Sequence, residues 1–336
     1  MRTKCKGKST VFFADPPRII SGGTIVGDVE AKGLLGSYFD IALEDDTWGE
    51  GTWEKAERKM FEHAVRTALE KGGLTPMQVD ILLGGDLLNQ IISANFAARE
   101  LEIPFLGLYG ACSTMAEGML IGSMLIDGGF ADRVACAASS HFSTAERQYR
   151  FPLELGNQRT PTAQWTVTGA GATLLGRESP LPLCIESVTI GSVWDLKQTD
   201  ANNMGAAMAP AAMQTLKSHL DDLHRIPEDY DLIVTGDLGR VGYDLMKLLC
   251  RKEGIELDQR YIDCGCEIFD VSQDVHSGGS GCSAVSLNGW LLGRMLKGEI
   301  RKMLFLATGA LMSPTMSQQG ESIPGVAHAV SLEVTP

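Results

Sequence analysis

The chain says much the same thing twice, and this repetition restricts its fold more than any other feature. The segment "VDILLGGDL" (79–87) has a counterpart in "YDLIVTGDL" (230–238), each keeping an aspartate, three or four apolar residues and then Gly-Asp-Leu. Each follows an amphipathic pattern, at 52–71 and at about 211–224, that predicts a helix. A second pair lies further along: "CSTMAEGMLIGSMLIDGGFADRVACAASS" (112–140) and "CSAVSLNGWLLGRMLKGEIRKMLFLATGA" (282–310). Both open on Cys-Ser, space their glycines, bring Met-Leu and then Gly128 or Gly298 to a helix end, and finish in an apolar strand. Two such matches in the same order argue for a duplicated unit.

Each half reads as helix, strand, loop, helix, strand, and the strands are continuous apolar runs of the kind buried on both faces. The expected architecture is α/β: two halves related by a pseudo-twofold axis, their sheets sandwiching the two glycine-spaced helices. Gly118, Gly122, Gly289 and Gly293 are expected to let those helices approach closely. The boundary falls near 177–185, after "GAGATLLG" (169–176), which divides the chain into 1–180 and 181–336. Residues 141–168, with Pro152 and Pro161, form a long excursion between strands, a usual place for pocket walls. The first ten and last ten residues are read as edges of the fold.

Charge removes several functions from consideration. Twenty-nine basic against forty-two acidic side chains leave −13, which repels nucleic acid and anionic lipid. An anionic ligand therefore has to be held by a local site. The eight cysteines, at 5, 112, 136, 184, 250, 264, 266 and 282, sit mostly in apolar runs with no secretory leader before them, a pattern suited to a reducing compartment. Cys264 and Cys266 lack a second pair at zinc-site spacing, so buried thiols explain them better than a metal. Apolar stretches such as 119–126 fall far short of the roughly 20 residues of a membrane span.

A duplicated α/β unit whose first half starts its buried helix with a cysteine resembles the thiolase superfamily, which includes the ketoacyl synthases. "GACS" (110–113) matches the nucleophile turn, "GAGATLLG" the glycine-rich strand of ketoacyl synthase III, and "HSGGSG" (276–281) the glycine-serine loop of the second half. The resemblance implies a thiolase-like fold, a five-layer αβαβα sandwich. It also implies a cysteine nucleophile, Cys112, aided by two polar partners from second-half loops. A thiol needs a base or a helix end to become thiolate, and an oxyanion needs donors. The first partner, a His or Asn, aligns with "VTGDLG", where Gly236 stands with Asp237 beside it. A carboxylate there disfavours thiolate and oxyanion alike. The second aligns with Gly278, or with His276 if a gap is allowed. His276 is the only candidate base there, either lining the pocket or supporting its loop. The expectation is a binding protein with no catalytic residues and no cofactor, the alternative being an acyl-thioester enzyme that uses Cys112 with His276.

Longer stretches resemble a sporulation branch of that superfamily from endospore-forming bacteria: "VFFADPPRIISGGTIVGDVEAKG" (11–33), "WEKAERKM" (53–60), "YGACSTMAEGM" (109–119), "FPLELGNQRTPTAQWTVTGAGA" (151–172) and "DVHSGGSGCSAVSLNGWLL" (274–292). This branch implies binding of dipicolinic acid, free or as its calcium chelate, for uptake into the developing spore. It further implies membrane proteins of the same uptake system as partners and a location peripheral to the spore inner membrane, while the wider superfamily resemblance implies a homodimer formed through a first-half strand.

A flat aromatic dianion needs donors for two carboxylates and a face to stack on. Amides at the helix start after Cys112, with Ser113, offer one seat. Gly278, Gly279 and Ser280 offer a second if their loop curls its amides into a nest; the alternative is a tight turn into a helix at 282. His141 can stack or donate, or be structural. Asp86 and Asp237 repel a dicarboxylate but suit a calcium chelate; capping of the following helix is the favoured alternative. Arg147, Arg150 and Arg159 are candidate carboxylate contacts, and Tyr149 and Trp165 candidate walls.

Overall fold

The computed structural model describes residues 4–149, 160, 162–269 and 276–335. In the first half the main elements are β1 (Arg18–Val26), α1 (Trp53–Gly72), β2 (Ile81–Gly85), α2 (Ile92–Leu101), β3 (Phe105–Gly107), α3 (Thr114–Asp127), β4 (Arg133–Ser140), α4 (Phe142–Tyr149) and β5 (Gly169–Gly176). The second half contributes β6 (Leu183–Thr189), α5 (Met204–Leu223), β7 (Leu232–Thr235), α6 (Gly239–Lys252), β8 (Tyr261–Asp263), α7 (Ser280–Val285), β9 (Lys302–Ala310) and β10 (Gly325–Val334).

The duplication is carried through to strand order. The first half runs β3-β2-β4-β5-β1 and the second β8-β7-β9-β10-β6, so each strand has a counterpart five places later. Directions repeat as well. β2 is parallel to β3 and β4, and β7 is parallel to β8 and β9, while β5 and β10 run antiparallel to both of their neighbours. β1 meets β6 at one backbone pair, Arg18 with Cys184, and the short strand Thr10–Phe12 also pairs with Ser187–Thr189 of β6. The chain passes from one half to the other between Gly176 and Leu183.

Three apolar clusters define the layers. One gathers Met60, Phe61 and Ala64 of α1 with Ala94 and Ala97 of α2 over one face of the first sheet. Another gathers Met208, Ala212 and Leu216 of α5 with Met246 of α6 on the second sheet. Between the sheets lies the third, which joins Met115 and Met119 of α3, Cys282 and Val285 of α7, and strand residues of both halves. The result is the expected five-layer αβαβα sandwich.

Several local expectations change. α5 starts at Met204 under an Asn203 cap, whose side chain accepts the Ala206 N–H at 3.2 Å, and continues through Pro210; read from sequence, that proline marks a break and hides the first two turns. The last residues are no edge, since β10 lies between β9 and β6. Its polar residues conceal this: Ser331 donates to Glu186 at 3.1 Å and His328 accepts the Gly191 N–H at 3.2 Å. Nor do the helix glycines serve helix-helix approach. A β-carbon on Gly118 or Gly122 would meet Cys136 of β4, one on Gly289 would meet Phe39, and one on Gly293 would meet nothing within 4 Å. The excursion contains α4 and a two-residue strand, Trp165–Thr166, paired in parallel with Ser277–Gly278.

Candidate functional site

The chain reaches Cys112 from β3 through one tight turn, Ala111–Ser113, that leads into α3. Ala111 sits at φ +51°, a left-handed conformation that costs a β-carbon-bearing residue energy and is kept only where its surroundings impose it. Here Ser113 donates both its N–H and its hydroxyl to the Gly110 carbonyl, at 3.0 and 2.7 Å, and Thr114 donates its hydroxyl to Ala111 O at 2.7 Å. Ser113 is fully buried. Its donors hold the turn, so they do not form the anion seat expected from sequence. Gly309 of β9 presses on this turn from the second half, where a β-carbon would lie 2.2 Å from Gly110 O.

Asp237 follows β7 and faces the sulfur. Its Oδ1 accepts the Thr308 hydroxyl at 2.6 Å, its Oδ2 accepts the Gly279 N–H at 3.0 Å, and the Cys112 thiol interacts electrostatically with the same carboxylate. Burial pushes its pKa up to about 6, against the lowering effect of those hydrogen bonds. The Cys112 thiol is raised well above the usual range, first by burial and then by the charge of Asp237, although the N–H groups of Gly279 and of Cys112 itself act in the opposite sense. The dipole of α3 therefore does not leave a thiolate at neutral pH. Gly236, aligned with the superfamily's first partner, packs where a β-carbon would lie 3.0 Å from Ser283 Cβ and 3.2 Å from Ala307 Cα.

The two Gly-Asp-Leu motifs diverge in use. Asp86 accepts the N–H groups of Leu88 at 2.7 Å and Ala94 at 2.8 Å, capping α2. Burial raises its pKa to about 6. Behind it Glu57, fully buried, accepts from Ser139 at 3.1 Å and Thr144 at 2.9 Å, and is pushed up by burial and then by Asp86. Asp237 caps nothing. The start of α6 is capped by Asp263, which accepts from Leu238 N at 2.8 Å and Gly239 N at 2.9 Å. Among the described residues no group of three or more His, Cys, Asp or Glu is arranged to hold a metal.

The glycine-serine loop is a turn into a helix that begins at Ser280, two residues ahead of the expected 282. Gly279 takes φ +95°, and a β-carbon there would meet Ser140 Oγ at 2.8 Å and Thr166 Cγ2 at 2.9 Å, so only glycine suits it. The Gly279 N–H goes to Asp237, the Gly281 N–H to Ser140 Oγ at 3.0 Å, the Gly278 carbonyl to Val167 N at 2.9 Å, and the Ser280 hydroxyl to Ser139 O. These bonds stitch the halves together and commit the Gly279 and Gly281 amides within the protein. The His276 carbonyl accepts Trp165 N at 2.7 Å; its ring is not among the described groups lining the cleft. His141 is wholly buried, with Nδ1 accepting Ser143 N at 3.1 Å and Nε2–H donating to Asp46 O at 2.7 Å. It is a neutral structural histidine, its pKa lowered by burial.

Cys112, Asp237, Gly278 and Gly279 do come together, around a cleft of about 60 Å³. Tyr149, a candidate wall from the sequence, lines it too, and the sequence does not single out the other wall residues. Met204, Met208 and Met312 supply thioether surface, Gln164 and Thr166 polar groups. Gln164 Nε2 donates to Asp237 O at 2.6 Å and Ser277 O at 3.3 Å. The one available signal was Asn203, whose cap sets Met204 and Met208 one helical turn apart on the same face. No Lys, Arg or His is among the described lining residues. Tyr149 lines the cleft and donates its hydroxyl to Leu87 O. An outer groove shares Leu87, Ala111, Tyr149 and Met312 with the cleft and adds Asp86 to its own wall. Arg147 instead pairs with Glu54 and lies over Trp53; Arg150 and Arg159 fall outside the described residues. Trp165 stacks on Phe142 at 3.8 Å and donates to Glu30 at 3.1 Å, so it supports the loop from behind.

Comparison with known proteins gives two kinds of match. The profile of the stage V sporulation protein AD family covers residues 7–333. Stage V sporulation protein AD of Bacillus subtilis (strain 168) is 46% identical over 332 residues, 98% of each chain. Among solved structures, 3-oxoacyl-(acyl carrier protein) synthase III from Pseudomonas aeruginosa PAO1 matches with TM-score 0.59 and 16% identity, covering 96% of this chain and 99% of that one. The Aquifex aeolicus VF5 synthase III gives 0.57 and 15%, covering 94% and 99%. At such identities these structures speak for the thiolase-like fold alone.

Proposed function

Because the chain belongs to the stage V sporulation protein AD family, we propose that its part in sporulation is to bind dipicolinic acid, free or as the calcium chelate, in the cleft beside Cys112 without transforming it. The observation that carries this reading is the Asp237 carboxylate set against the Cys112 thiol and the Gly279 N–H. It keeps the sulfur protonated and puts negative charge where an acyl oxyanion would need donors, while the cleft stays open. A nucleophile is disarmed, and a binding site remains.

The walls suit a flat ring. Three methionines offer polarizable surface for aromatic contact, and Gln164 and Thr166 offer polar groups to orient it. The free dianion finds no cation among the described lining residues, whereas the one-to-one calcium chelate is neutral and enters at lower electrostatic cost. Uptake into the developing spore then rests on membrane proteins of the same system, with this chain beside the inner membrane; none of its described helices is long and apolar enough to cross one. A second copy pairing on β3 belongs to the same reading, since that strand is the open edge of the first half-sheet and edges invite pairing.

Calorimetric titration of the purified protein with dipicolinate, with and without calcium, tests the proposal. Saturable one-site binding in either condition is expected. Absence of binding in both would overturn it, and a stable acyl adduct on Cys112 after incubation with acyl-coenzyme A would favour an acyl-thioester enzyme using Cys112 and His276.

A further inference from the structure

Asp237 is an unusual group for a wall that receives an acid. Its carboxylate is buried, and its partners, the Thr308 hydroxyl, the Gly279 N–H and the Cys112 thiol, are all neutral. The other titratable groups that act on it or feel its charge are Cys112 before α3, Asp263 at the end of β8, Cys264 next to it, and Cys282 on α7. Each of these is neutral or negative. With no Lys, Arg or His among the described lining residues, none of those residues offsets a second negative charge.

We infer that entry of a free dicarboxylate into this cleft is coupled to uptake of one proton by Asp237, and that entry of the neutral calcium chelate is not. The inference rests on the reading of the cleft as the dipicolinate site and adds how that site is regulated. An incoming carboxylate close to an ionised one in a low-dielectric cleft is strongly opposed, and protonation of Asp237 removes the opposition. Its pKa of about 6 means that the ligand-free protein is ionised there at pH 7.5 but can accept the proton at small cost. Affinity for the free acid therefore falls about tenfold for each pH unit above roughly 6. A proton and a calcium ion become alternative answers to the same charge conflict.

The test is a calcium-free titration with dipicolinate in two buffers of different ionisation enthalpy, repeated at several pH values and with saturating calcium. The expected result is about one proton taken up per site at pH 8, about half at pH 6, and about none with calcium. In D237N the uptake disappears and the affinity becomes flat between pH 6 and 8. Binding without proton uptake in the unmodified protein, or equal uptake in D237N, overturns the inference and leaves the proposed function standing. If D237N does not fold, the two-buffer comparison on the unmodified protein still decides. Absence of any dipicolinate binding, with or without calcium, overturns both, and its signature differs from binding that is indifferent to buffer.

Discussion

Asp237 Oδ2 accepts the backbone N–H of Gly279 at 3.0 Å, and that N–H also bears on the Cys112 sulfur. One amide from the second half thus serves a carboxylate and a thiol, and the carboxylate holds it.

The first prediction concerns stability and pH. The folded pKa of Asp237, about 6, lies above its ordinary value of 3.8. The folded state therefore keeps its proton longer, and the contribution to stability, complete below about pH 4, is lost as pH rises through 6. The loss amounts to about 3 kcal/mol. D237N lacks this titration, so between pH 4.5 and 7.5 its stability should move upward relative to the unmodified protein by an amount of that order. Urea midpoints at the two pH values read it directly, and parallel changes would show that Asp237 ionises freely.

Thiol reactivity gives the second. With its pKa raised by burial and by Asp237, Cys112 should alkylate with iodoacetamide at pH 8 at least about tenfold more slowly than an unperturbed thiol. D237N should react several-fold faster, and dipicolinate should protect either form. Peptide mapping by mass spectrometry separates Cys112 from the other seven cysteines. A fast Cys112 indifferent to residue 237 would contradict the geometry.

Asp86 should behave as a cap. D86A removes the acceptor for Leu88 N and Ala94 N and should cost about 2 kcal/mol in a denaturant titration. Dipicolinate affinity should stay within about threefold, because the carboxylate is committed to α2. A large loss of calcium-dependent binding with unchanged stability would return Asp86 to the ligand.

At Gly279 the constraint is steric. G279A places a β-carbon 2.8 Å from Ser140 Oγ at φ +95°, and should destabilise the protein by about 2 kcal/mol or more. Thermal unfolding of G279A beside that of G254A, at a positive-φ glycine with nothing within 4 Å, separates the clash from backbone strain alone. Equal losses would mean that the loop yields.

What could be read from the chain beforehand follows a physical divide. Gly-Asp-Leu after an apolar strand, and Cys-Ser before a glycine-spaced helix, are local signals, and they led to the duplicated sandwich. The use of each side chain was not local. Asp86 and Asp237 stand in the same motif, yet whether a carboxylate caps a helix depends on which amides reach it, and at α6 those amides reach Asp263, 26 residues on in the chain. Gln164 and Met208 became wall residues because a two-residue strand and a proline-containing helix start bring them there, and neither leaves a clear periodicity. His141 looked like a ligand contact because its two ring partners, Asp46 and Ser143, cannot be inferred from its neighbours on a strand end.

The stand-in cap at α6 has a consequence for how twin-built proteins specialise. An acid committed to a helix start has its oxygens engaged by amides and is unavailable for a second use. Asp263 carries that duty in the second half and leaves Asp237 free of it, whereas Asp86 carries it in the first. Giving Asp86 the position that Asp237 takes against the sulfur would accordingly need a surrogate cap for α2 before any change to the pocket itself, because the two carboxylates part ways at the helix starts beside them.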